Sequence, residues 1–113
     1  MFGGKTKLLW QLHDELRERG LSAEECLVVD LSRKSGYFIS KDRGLPPKCL
    51  LVDAGPGEYL AFFAKGGHWE YMEMYAAGDE PLPSNLTTEK FSPVGNSIAH
   101  DVLSLLKQKR QQG

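Results

Sequence analysis

Leu8, Leu9, Leu12 and Leu16 recur at helical spacing and fall within one arc of roughly 100° at 3.6 residues per turn. Asp14, Glu15, Arg17, Glu18 and Arg19 lie outside that arc, so the pattern predicts an amphipathic helix over residues 6–19. Gly20 supplies a left-handed stop, and Leu21 just beyond it can fold back on the last turn. Trp10 sits about 100° past Leu9 on the same wheel. It is off the apolar stripe, either half covered by a loop or exposed to a partner.

From there the period changes. Residues 22–25 (SAEE) carry the capping-box pattern and predict a single helical turn. Short runs rich in Val, Ile, Leu, Phe and Tyr then predict strands at about 26–31, 37–40, 49–53, 59–64 and 68–75. The loop at 41–47 is marked by paired prolines, and Gly55-Pro56-Gly57-Glu58 predicts a hairpin turn whose glycines take positive φ. The runs at 49–53 and 59–64 are apolar on both faces and predict inner strands. In 68–75, one face shows His68, Glu70, Met72 and Met74; the other shows Trp69, Tyr71, Glu73 and Tyr75. Such mixed polarity predicts an edge or half-exposed strand. Residues 76–92, with three prolines and little periodicity, predict a loop. Ser92-Pro93 begins a second helix to about residue 110, with Ile98, Ala99, Val102, Leu103, Leu105 and Leu106 on one face.

The order is therefore helix, about five strands, helix, in one domain over residues 1–113. Its simplest layered solution is an α+β fold, a single antiparallel sheet with the N-terminal and C-terminal helices packed on one face. This order is similar to that of small α/β sandwiches such as the frataxin and profilin classes. The similarity is one of topology and implies no activity.

Composition narrows the partners. Charged residues at 26% and apolar residues at 41% match an ordinary folded domain rather than a disordered one. A formal net charge of -1 gives no basic excess for phosphate neutralisation, so nucleic acid is not expected. No run reaches the ~20 apolar residues of a membrane span, and the N-terminal stretch does not read as a secretory signal. Cys26 and Cys49 each begin an apolar run, which suits buried reduced thiols in a cytoplasmic protein.

Candidate chemistry is sparse. Gly4-Lys5-Thr6 lacks the strand and upstream glycine of a phosphate-binding loop. Of His13, His68 and His100, only His68 has a carboxylate at strand spacing, Glu70. Two ligands are too few for a metal, so neither metal nor nucleotide nor any other cofactor is expected. What remains is aromatic: Trp69, Tyr71 and Tyr75, with Glu73 between them, share one side of a strand. Together with Trp10 they form the expected partner-binding surface, since Trp and Tyr combine contact area with a polar handle. The expected function is binding of another protein, as an adaptor, dedicated chaperone or toxin antagonist, with no assigned catalytic residues. The alternative is a small enzyme or ligand-binding domain with a pocket between sheet and helices, using His68, Glu70 and Cys49.

Overall fold

Two helices lie on one face of an antiparallel sheet in the computed structural model, which describes residues 3–30, 48–65, 68–77, 80–83, 88–91 and 98–112. The elements run α1 (Gly3–Glu18), β1 (Cys26–Asp30), β2 (Lys48–Gly55), β3 (Glu58–Lys65), β4 (His68–Ala77), β5 (Glu80–Pro83), β6 (Glu89–Phe91) and α2 (Ile98–Gln112). The strands follow the order β1-β2-β3-β4-β5, all antiparallel, and β6 also pairs with β4. Among the described residues the sheet is thus five positions wide, its last position shared by β5 and β6. Among the described residues, no helix is long and apolar enough to cross a membrane.

Helix α1 stops as its sequence predicts. Leu21 N–H donates to Leu16 O and Gly20 N–H to Arg17 O, both at 3.1 Å, while Gly20 takes φ 115°. This is a Schellman cap, and the buried Leu21 folds back towards Leu16. Leu9, Leu12 and Leu16 are buried, but Leu8, placed on the same stripe by the wheel, is 46% exposed. The stripe in contact with the sheet is narrower than its sequence. After α1, Glu25 accepts from the Ser22 N–H at 3.0 Å, the half of the capping box that ties the turn to β1.

Strands β2 and β3 join through Pro56 and Gly57. Proline presets φ at the first corner and Gly57, at φ 71°, supplies the left-handed second corner of a type II turn. A register shift between Asp53 and Gly55 precedes it, and the Asp53 carboxylate accepts from the Gly55 N–H at 2.8 Å. Both strands are interior, as their two-sided apolar pattern predicts. One face contributes Leu50, Val52, Leu60 and Phe62 to a core shared with Leu9, Leu12, Leu16, Val102 and Leu106 of the helices. The other face holds a second buried cluster of Cys49, Leu51, Ala61, Phe63, Met72 and Met74.

Three expectations need correction or fall outside the described residues. Strand β4 is not an edge: β3 pairs along one side and β5 and β6 along the other. The stretch 76–92, expected as a loop, contains β5 and β6. Two of the four residues in β5 are proline, which a strand tolerates at the outside of a sheet where one side needs no donors. The strand expected at 37–40 lies outside the described residues.

Candidate functional site

The alternation of β4 sends Trp69, Tyr71, Glu73 and Tyr75 to the helix side of the sheet. Their burial is graded along the strand. Tyr71 is only 8% exposed and belongs to the main core. Trp69 is partly buried against the same cluster. Tyr75, towards the other end of the strand, is 44% exposed. Trp10 is 47% exposed on α1, its ring edge-on to His13 with centroids 5.0 Å apart. The five residues expected to form one partner surface are therefore divided. Tyr71 is a core residue, Trp69 and Glu73 are half covered, and Trp10 and Tyr75 are open to solvent.

Tyr71 is central to an aromatic cluster at the β4–β6 seam. Phe91 of β6 packs edge-to-face on Phe62 and Tyr71, with centroids 5.4 Å and 6.2 Å away. The Tyr71 hydroxyl donates to the Glu89 carboxylate at 2.5 Å. Burial, then the adjacent Glu89 acceptor and the charges of Glu89 and Glu73, push the phenol up to about 12 from 10.0. It stays protonated and donating throughout the physiological range.

Glu73 is accommodated on this otherwise apolar side by Lys109 of α2, whose ammonium donates to its carboxylate. Next in the chain, Arg110 donates to the Asp53 carbonyl at 2.9 Å and approaches Glu25 at 3.4 Å. Two successive basic residues thus fasten the end of α2 to β4, to β2 and to the turn before β1. A shallow depression of about 40 Å³, room for a water or two, lies there between Ala54, Glu58, Leu60, Glu73 and Lys109. Tyr75 is the cross-strand partner of Glu58 beside it.

On the opposite side of β4, His68 Nε2 lies 2.6 Å from Glu70 Oε2, and the Thr88 hydroxyl donates to Glu70 Oε1 at 2.5 Å. This is the pairing at strand spacing that the sequence singled out, with Thr88 as an addition from a distant segment. Cys49 lies within the buried cluster of that face, and burial raises its thiol well above the ordinary range. It is a packing group, not a nucleophile. Burial also pushes Cys26 upwards. Among the described residues, no three His, Cys, Asp or Glu side chains converge to hold a metal ion.

No family model, curated protein or solved structure matches the chain. Functional inference therefore rests on the chain's own geometry.

Lys109, Glu89, Thr88 and Phe91 are the residues of this region that local sequence reading missed. Lys109 was legible only as part of a basic helix end. The alternation of Glu89 and Phe91 around Lys90 could have signalled a strand, but three residues carry too little periodicity to read.

Proposed function

We propose that this chain is a protein-binding domain of adaptor, chaperone or antagonist type, acting in the cytoplasm. The observation that carries this reading is the exposure of Trp10 and Tyr75, 47% and 44%, on a helix and a strand. Large aromatic side chains held on regular elements offer contact area at low entropic cost, as interface anchors do. Beside Tyr75, the Glu73–Lys109 pair and Glu58 provide a polar rim around the shallow depression. Trp69 and Tyr71 lie further along the same face of β4, where it pairs with β6. Two cysteines outside any disulfide suit a reducing compartment.

The test uses the full chain as bait, with the recovered protein identified by mass. Trp10→Ala and Tyr75→Ala should each weaken that complex by about 2 kcal/mol while leaving the unfolding midpoint close to its original value. A complex indifferent to both changes would remove the support for this reading.

The rival is a small enzyme or ligand-binding domain. Its specific support is the His68–Glu70 pair, an imidazole oriented by a carboxylate that is itself held by Thr88. The space between sheet and helices is filled by Leu9, Leu12, Leu16, Leu60, Phe62 and Val102, which disfavours a pocket there. A small-molecule binding or turnover signal lost in His68→Ala, with the fold intact, would favour the rival.

A further inference from the structure

Strand β4 carries two partners on one side: β5 pairs with Met74–Ala77 and β6 with Trp69–Tyr71. Among the described residues, Met72 and Glu73 have no partner in either register. Among the described strands β6 is the shortest, three residues paired with β4. Glu89 and Lys90 are exposed, and Phe91 is only partly buried.

What holds β6 in place is specific. On the helix side, Glu89 accepts from Tyr71 and Phe91 lies edge-on to Phe62 and Tyr71. On the other side, Thr88, just before the strand, donates to Glu70 of β4. Two hydroxyl–carboxylate bonds therefore run in opposite directions across the seam, one on each face. The ladder itself is indifferent to sequence. The carboxylate two residues before an aromatic ring is not, because those two positions share a face of any strand.

We propose that β6 is an intramolecular strap along β4 whose place an extended segment of a partner protein takes, a segment bearing a carboxylate two residues before an aromatic ring. This rests on the protein-binding reading and names a second contact for it. The incoming strand places its carboxylate on the Tyr71 hydroxyl and its ring against Phe62 and Tyr71, the positions Glu89 and Phe91 fill in the closed chain. Strand addition of this kind draws affinity from the ladder and specificity from alternate side chains. Trp69 and Tyr71, covered in the closed chain, then become partner-facing residues.

The experiment adds a short fluorescent peptide carrying Thr-Glu-Lys-Phe to the full chain and to its Phe91→Ala and Glu89→Gln variants. The strap competes with the peptide, so the apparent affinity falls with the fraction of chains that are open. Phe91→Ala should bind the peptide at least about tenfold more tightly than the intact chain, with Glu89→Gln between them. Peptides in which the Glu or the Phe is replaced by alanine should not bind. Hydrogen exchange at the Trp69–Tyr71 amides should quicken in both variants and slow again with peptide, while Leu50–Val52 stays protected. If Phe91→Ala unfolds the chain, Glu89→Gln alone carries the comparison. Equal or absent peptide binding in all three proteins overturns the proposal, as does exchange that quickens throughout the sheet. A doubling of mass without peptide binding also overturns it, because the edge then serves a second copy. If the peptide fails while a complex dependent on Trp10 and Tyr75 persists, the strap is wrong and the protein-binding reading stands. If the peptide binds while that complex proves indifferent to both aromatics, strand addition at β4 stands and Trp10 and Tyr75 are not the anchors of the partner surface.

Discussion

Tyr71 of β4 donates its phenolic hydrogen to Glu89 of β6 across 2.5 Å, and the two residues face each other in the ladder. The phenol is held in its protonated form, up to about 12 against 10.0 for a free tyrosine. A raised folded-state value means that the proton favours the native chain. That contribution is fully present below the unfolded value near 10 and is lost as pH rises through about 12. Stability should therefore fall across this alkaline window. Denaturant melts at stepped pH check the slope, and Tyr71→Phe should remove most of it.

At neutral pH, Tyr71→Phe should cost about 1 kcal/mol. The ring still packs against Phe62 and Phe91, and the exposed Glu89 recovers water in place of its donor. Tyr71→Ala removes the ring as well and should cost roughly 3–5 kcal/mol. A difference of less than about 1 kcal/mol between the two variants would contradict the placement of this ring in the core.

The Glu73–Lys109 pair is half open to water, with 44% and 28% of the side chains exposed. A pair in that setting is worth about 0.2–1 kcal/mol, most of it screened by salt. A double-mutant cycle of Glu73→Gln and Lys109→Met should return a coupling in that range, shrinking in high salt. The contact matters more for placing α2 over the depression than for holding the fold.

Much of this architecture is legible in local sequence. The leucine spacing before Gly20 specifies where α1 ends, and Gly55-Pro56-Gly57-Glu58 specifies the hairpin, because helix caps and tight turns are decided within a few residues. The character of β4 is not decided locally. Glu73 argued against burying the face that carries Tyr71, yet its charge is met by Lys109, 36 positions later in the chain. The same holds for Glu70, which Thr88 reaches from 18 positions away. β5, with its prolines at 81 and 83, lacks the alternation of a strand, and β6 is too short to display one. Long-range partners made a strand with polar residues on both faces an interior one.

On α2, Leu106 is buried in the main core, whereas Leu105 packs against that core from a partly exposed position. Leu106→Ala should cost about 2–5 kcal/mol, and Leu105→Ala distinctly less, about 1–2 kcal/mol. Equal losses at the two sites, read from denaturant midpoints, would mean that the helix presents a different face to the sheet.

Cys26 and Cys49 should resist thiol reagents in the native protein. Both are fully buried, burial raises both thiols, and Cys26 also donates weakly to the Ser22 carbonyl at 3.7 Å. Labelling should track unfolding rather than reagent concentration. Rapid modification of Cys49 in the folded chain would favour the enzyme alternative that groups Cys49 with His68 and Glu70.

The two tryptophans separate the core part of the aromatic set from the partner part. Trp69 opposes Phe91 across the β4–β6 ladder and packs against the main core. Truncation there leaves a cavity that its neighbours fill only in part, so Trp69→Ala should cost roughly 3 kcal/mol, towards the low end for a large aromatic because the side chain is only partly covered. Among the described residues, Trp10 belongs to neither buried cluster, and its ring stands edge-on to that of His13. Trp10→Ala should therefore shift stability by no more than about 0.5–1 kcal/mol. Fluorescence gives an independent readout of the same contrast. In Trp69→Phe the remaining Trp10 emission should be red-shifted and readily quenched, and in Trp10→Phe the remaining Trp69 emission should be blue-shifted and protected until the sheet unfolds. If Trp10→Ala proved as destabilising as Trp69→Ala, its ring would be part of the fold and the partner surface would reduce to Tyr75. If instead Trp10 can be removed at little cost to the fold and partner capture is lost with it, α1 presents an anchor that the hydrophobic core does not require.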